Sequence, residues 1–375
     1  MYLCTKTYPE AAFEIAYEFG LITYDEYRRY YRRKYDELYV KKIESRYSQN
    51  QKKKVVRKKV NPVIIHNVYQ CMKDCCSLSE HHRLGLIRDR KIPLERIEQD
   101  YFTCPTNWRQ KDTIIAGIKE KYPAYTDEIL MNIPGFFYDK KRGKLSFTGH
   151  KGLGILIRNS DSRIVAIQIR KDTIQEGDSR YIWFSSSFAT YNPDEYNGGN
   201  GCGSPKDVCY PQMLKKHTLC ITEGRFKSEK LTESGNISIS VQGVTSWHGI
   251  EETIKHMKGI HNVFIFFDAD ILGKHVLFMQ SEKMIRKIQD EFPGLYIRYA
   301  FWSKKNGKGI DDCIIAGNIS KVKYYEAKRA AEICNDAYTH ALGEYHVANL
   351  RELKQERAKE FEDYLQILTE SMLGL

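Results

Sequence analysis

The stretch Val263–Asp270, VFIFFDAD, decides how this chain is read. Five of its first six residues are large and apolar or aromatic, and the stretch delivers two carboxylates two positions apart. A short run of that composition predicts a buried strand. Side chains two apart on extended backbone point the same way, so Asp268 and Asp270 can be presented together at the strand's carboxyl end.

Outward from this stretch, the chain alternates strand and helix from residue 217 onward. TLCIT, ISISVQ, NVFIFF and LYIRYAFW read as strands. Between them, RFKSEKLTES reads as a helix closed by Gly235, IEETIKHMKG as a second, and LGKHVLFMQSEKMIRKIQDEF as a long third. The third carries Leu277, Met284, Ile285, Ile288 and Phe292 on one face. IDDCIIAGN opens a last helix. Alternation of this kind builds a parallel sheet covered by helices, and such sheets collect functional groups at the carboxyl ends of their strands. Glu223 follows TLCIT, so it joins Asp268 and Asp270 at such ends. Three clustered carboxylates repel one another unless a cation compensates or one stays protonated. Oxygen-only donors favour Mg2+ or Mn2+ over zinc, and such ions serve phosphoryl chemistry. For any single aspartate, capping the next helix is the simpler account; the set of three is what favours a metal.

The segments ITEG (221–224), FDADILG (267–273) and GKGIDD (307–312) together resemble the Toprim domain of DnaG-type primases, topoisomerases and related nucleases. Gly273 and the pair Asp311–Asp312 stand where primases carry a glycine and a further acidic element. Upstream, KGLGILIRNSDSRIVAIQIR (151–170) and SRYIWFSSS (179–187) are similar to the strand pair and the Lys-Tyr…Ser element of the primase core, placing Arg170, Arg180 and Ser185 at its basic and polar positions. The resemblance covers roughly 130–320 and is closest to the primase-like proteins of plasmids and integrative mobile elements.

The resemblance implies a DnaG-like DNA primase that makes short RNA primers on single-stranded DNA from ribonucleoside triphosphates. Glu223, Asp268 and Asp270 would hold Mg2+ or Mn2+ against the triphosphate, with Asp312, and Asp311 beside it, supporting a second ion. Arg170, Arg180, Lys227 and Lys274 would contact triphosphate or template phosphates. Trp247 and His248 lie near the same sheet edge, placed either to stack a base or to pack in the core. Two departures stand out. Lys227 occupies the position of the final acid in the Glu-Gly-x-x-Asp pattern, and the amino-terminal zinc ribbon of primases, which helps choose the template start site, has no recognisable Cys/His pattern here; the partners the resemblance implies include a zinc-bearing protein and a replicative helicase. No P-loop is present. The alternatives at the same motifs are a metal-dependent nuclease and a non-catalytic DNA-binding replication accessory protein.

The remaining sequence fits this frame. The chain has 375 residues, 42% of them hydrophobic, and a net charge of +11, which suits a polyanionic partner. Ten cysteines, no CxxC pair, no secretory leader pattern and no membrane-length apolar run predict a cytoplasmic protein with reduced thiols. Cys71, Cys75, Cys76, His81 and His82 form the densest thiol and imidazole group, but their spacing matches no common zinc pattern. In IVAIQIR, Val165, Ile167 and Ile169 are expected on one face, and Ala166, Gln168 and Arg170 on the other. Ser77 or Ser79 is expected to cap a helix. The expected organisation is a helical region with a basic linker (1–60), a mixed α+β primase-like subdomain (61–215), a Toprim parallel sheet flanked by helices (216–319) and a helical tail (320–375).

Overall fold

The computed structural model describes residues 58–175, 178–215, 217–350, 353 and 355–375, together with Ala16, Leu21, Ile22 and Glu26. The expected amino-terminal helix and most of the basic linker lie outside the described residues. Residues 1–56 and 57–375 form separate units, and the second is built of two lobes.

The first lobe opens with helix α1 (Pro62–Asp74). Proline supplies a preset φ at its first position, and the Asn61 side chain accepts from the Val63 amide at 2.9 Å. Helix α2 (Glu80–Leu84) is capped by Ser79, not Ser77. Helix α3 (Leu94–Asp100) runs into strand β1 (Tyr101–Thr103), and α4 (Trp108–Lys121) follows an Asn107 cap. Strands β2 (Phe136–Asp139) and β3 (Lys144–Phe147) form a hairpin extended by β7 (Tyr196–Asn197). Strands β4 (Gly152–Arg158), β5 (Ile164–Lys171) and β6 (Tyr181–Trp183) join β1 in an antiparallel sheet of order β1-β4-β5-β6.

The expected facing pattern of β5 needs one correction. The register shifts where Ile157 and Arg158 meet Ala166 and Ile164, a bulge that throws Val165 to the face of Leu86 and Ile97. Ile164 takes its place beside Ile167 and Ile169 in the core under α1 and α4.

The second lobe is a six-stranded sheet of order β13-β12-β11-β9-β10-β8. Its centre is β9 (Thr218–Thr222), β10 (Ile237–Ser240), β11 (Asn262–Phe266) and β12 (Tyr296–Phe301), all parallel, and β9 is buried throughout. Helices α5 (Arg225–Thr232), α6 (Ile250–Lys255), α7 (His275–Glu291) and α8 (Ile310–Ile315) connect or follow these strands. Both edges depart from the sequence reading. Strand β8 (Asp207–Cys209) pairs antiparallel with β10, so the sheet takes its first edge from before residue 216. Strand β13 (Lys323–Glu326) pairs antiparallel with β12, so residues 320–375 begin with a strand. They continue as α9 (Ala327–Glu344) and α10 (Gln355–Leu373). Ala330, Ile333, Cys334 and Leu373 join the main core of the sheet, so this segment is part of the lobe and not a tail.

A buried ionic network joins the lobes. Arg225, 3% exposed, donates through Nη1 to both carboxylate oxygens of Asp207 at 3.0 and 3.1 Å and through Nε to Glu229 at 2.8 Å, and it also pairs with Asp100. Arg158 Nε donates to the other oxygen of Asp100 at 2.7 Å. Phe226, the next residue of α5, packs into the first lobe beside Tyr101.

Candidate active site

The carboxyl ends of β9 and β11 lie side by side, because the two strands pair in parallel register up to Thr222 and Phe266. Each ends on an acid. Glu223 leads into Gly224, the cap of α5, and Asp268 opens a tight turn over Ala269–Gly273. The Asp268 amide donates to Glu223 Oε1 at 3.3 Å, and Thr222 Oγ1 donates to the Phe266 carbonyl at 2.8 Å, fixing the two ends together.

Both acids line a cavity of about 500 Å3 between the lobes. Asp311 and Asp312 line it from α8, Lys227 from α5, and Arg90, Arg180 and Gln168 from the first lobe. Lys227 pairs with Asp268. Burial alone would push its ammonium down, but Asp268, Glu223 and Asp311 outweigh that and hold its pKa above the usual lysine value. Burial pushes the Glu223 carboxyl up, and Asp268 and Asp270 add to this against Lys227. Burial also raises Asp311, helped by Asp312 and opposed by Arg90 and Lys227. Arg90 reaches Asp311 at 2.8 Å across a sequence separation of 221 residues. Asp312 accepts from the Gly309 amide at 3.3 Å and so caps its own helix.

The expected trio of acids is therefore only partly gathered. Glu223 and Asp268 share the cavity, whereas Asp270 accepts from Lys274 at 2.7 Å with Lys308 at 3.8 Å, and neither Asp270 nor Lys274 lines it. Burial would raise Asp270, but Lys274 and Lys308 outweigh it and hold its carboxyl below the usual range. Among the described residues, no group of three or more His, Cys, Asp or Glu side chains is gathered tightly enough to hold a metal ion. The donor chemistry nonetheless fits a hard divalent cation. The acids lining the cavity offer only oxygen donors, and two of them, Glu223 and Asp311, are pushed toward their neutral forms by burial and by the carboxylates beside each, an effect that an added cation would relieve.

Arg180 lines the cavity, and Arg170 does not. Arg170 pairs with Tyr181 across the sheet, two positions beyond the Gln168–Trp183 pair, and its buried Nε has no hydrogen-bond partner among the described residues. Ser185 Oγ is hydrogen-bonded to Ser187 Oγ at 2.8 Å. Trp247, 8% exposed, belongs to the core of the second lobe and stacks on His248 at 4.1 Å, so core packing accounts for it. Cys71 and Cys75 are hydrogen-bonded neighbours, but among the described residues the cysteine and histidine group does not gather into a metal site. Cys71 is buried, Cys75 is exposed, and the His82 ring bonds Thr103 and Asp172 at 2.7 and 2.8 Å. Burial pushes the Cys71 and Cys76 thiols up to about 11 and about 12.

Sequence reasoning passed over three residues, the last of which does not line the cavity. Arg90 and Lys308 reach the acids from the segment between α2 and α3 and from the GKGIDD loop. Trp108 is the third. It stands 53% exposed at the start of α4, with Arg109, Arg142 and Lys144 at 5.2, 5.3 and 5.6 Å from its ring. The run NWRQKD, an aromatic beside bases at a helix start, was the available signal.

A domain-of-unknown-function family, DUF3854, matches residues 210–320, the segment that carries Glu223 through Asp312. The fold is similar to the catalytic core of DnaG primases. The RNA polymerase domain of the Mycobacterium tuberculosis primase DnaG superposes with a TM-score of 0.50 at 14% identity, over 80% of this chain and 97% of that one. A DNA primase domain from Pseudomonas aeruginosa gives 0.47 at 13%, over 81% and 99%. The zinc-binding and RNA polymerase domains of the Aquifex aeolicus primase give 0.47 at 12%, over 97% and 84%. No curated protein matches the chain. Among the described residues, no helix is long and apolar enough to cross a membrane.

Proposed function

We propose that this chain is a primase-type nucleotidyltransferase with a Toprim active site, acting on single-stranded DNA in the replication of a plasmid or integrative element. One observation carries the reading: Glu223 and Asp268, at the ends of adjacent parallel strands, share a cavity with Asp311, Asp312, Lys227, Arg90 and Arg180. Acids on one wall and guanidinium groups on the other suit a nucleoside triphosphate with its divalent cation.

Glu223 and Asp268 would hold Mg2+ or Mn2+, with Asp270 close behind on the same turn. When bound, the ion lowers the pKa of the attacking 3′-hydroxyl and neutralises the pyrophosphate leaving group. The chain's own residues do the rest. Lys227 balances the charge of the acids while no triphosphate is present, and Arg180 offers a planar fork to phosphate oxygens. Trp108, with Arg109, Arg142 and Lys144, offers a stacking platform bordered by phosphate-binding cations for the template strand.

The test is incubation of the full chain with a single-stranded template, labelled ribonucleotides and Mg2+ or Mn2+. Short labelled products are expected. Their yield should fall about 100-fold or more in Asp268→Asn and in Glu223→Gln, in line with the several kcal/mol that a Lewis-acid cation supplies. Template shortening without nucleotide incorporation would assign the site to a nuclease. Binding with neither activity would make the chain a replication accessory protein.

A further inference from the structure

The last helix, α10, lies outside the segment matched by the family, yet its side chains reach both turns at the active end of the sheet. Gln366, 8% exposed, uses every polar atom of its amide. Its Oε1 accepts from the Gly273 amide at 2.8 Å, and its Nε2 donates to the Ala269 carbonyl at 3.0 Å and to Glu370 Oε1 at 2.7 Å. One turn of helix further on, Glu370 accepts from Ser303 Oγ at 2.7 Å and from the Lys304 amide at 3.0 Å. Two side chains four residues apart thus grip the turn after β11 and the turn after β12.

Gly273 is part of this grip. A Cβ there would stand 2.5 Å from the Glu362 carbonyl and 3.2 Å from Gln366, so only glycine lets the turn approach α10 this closely. Helix α10 is itself held at its far end, where Tyr325 donates to the Leu373 carbonyl, and along its length, where Phe361 and Leu365 pack against Ala337 and Ala341. The gripped turn bears directly on the acids. It begins at Asp268, it contains Asp270, and its Ala269 amide donates to the Lys308 carbonyl at 2.9 Å.

We infer that Gln366 and Glu370 are positioning residues, which hold the Asp268–Gly273 and Ser303–Asn306 turns in fixed relation and so set the acidic wall of the cavity. The activity arm of this inference rests on the proposed function; the structural arm does not.

The experiment compares the full-length chain with Gln366→Leu by hydrogen–deuterium exchange, using the peptides of β9 and α5 as internal reference. Exchange in both turns should quicken roughly tenfold, the equivalent of one or two lost buried hydrogen bonds, while the reference stays at wild-type rates. In the priming assay kcat should fall by a similar factor with template affinity unchanged, a split that mere loss of folded protein would not give. Wild-type exchange in both turns of a folded variant would overturn the inference. If Gln366→Leu loosens the whole chain, Glu370→Gln decides. It keeps the side-chain shape but leaves one acceptor oxygen for three donors, Ser303 Oγ, the Lys304 amide and Gln366 Nε2, so exchange should quicken more at 303–306 than at 268–273, and no change at 303–306 would sink the idea. If the wild-type chain makes no primers, the proposed function fails while the exchange result still judges the clamp.

Discussion

Lys227 stands one helical turn after Glu223 and pairs directly with Asp268, the other strand-end acid of the shared cavity. Its charge helps keep Glu223 ionised against burial. Replacing it with methionine removes a neighbour that favours the carboxylate, so the Glu223 pKa rises further and ionisation begins at higher pH. The acidic limb of the pH–rate profile should therefore move upward in Lys227→Met, and a stationary limb would show that Glu223 is not the group being titrated. The same raised pKa has a stability sign. Folded Glu223 binds its proton more tightly than the unfolded chain does, so its contribution is most favourable below the unfolded value and is lost as pH rises through the folded value. Glu223→Gln should accordingly raise Tm at neutral pH even as it abolishes activity, which differential scanning calorimetry at several pH values would reveal as a gain that shrinks in acid.

At the level of elements, the exposed start of α4 and the β2–β3 hairpin form the patch around Trp108. Asp112 pairs with Arg142 and Lys144 there, holding both cations beside the ring. Trp108→Ala should weaken single-stranded DNA binding by about 1–3 kcal/mol, read by fluorescence anisotropy, while melting stays close to wild type. The parallel centre of the sheet was legible because β9 to β12 are short apolar runs separated by helices of ordinary period, and the acids at the ends of β9 and β11 followed from that alternation. The rest depended on tertiary pairing that leaves no local mark. Strand β8 is three residues next to a glycine-rich loop, and β13 is a charged, mostly exposed segment that reads as the start of a helix. The Val165 bulge breaks a clean alternation without a glycine to announce it. Asp270 was expected to turn toward its neighbour two positions back, but Lys274, four residues on, captures it.

Across the whole molecule, the Arg225 network is what the sequence conceals most completely, since Asp100, Arg158 and Asp207 lie on separate elements and only Glu229, four residues on in α5, is a local partner. Each acid's charge is buried and met by a guanidinium. Arg225→Leu would leave Asp100, Asp207 and Glu229 short of a partner in the interior, and urea denaturation should show a loss of about 3–5 kcal/mol. A variant within about 1 kcal/mol of wild type would mean that water or rearrangement satisfies those acids. The reach of α10 back to the turn at Asp268 has a further consequence for how the protein is made. Synthesis proceeds from the amino terminus, and domains begin to fold as they emerge. The sheet is complete once β13 has left the ribosome, but Gln366 and Glu370 lie further along the chain and emerge later. A transcript cut short after Glu344 would thus yield a chain with every catalytic candidate present and its acid-bearing turn unsupported, so full assembly of this site waits on the codons for α10.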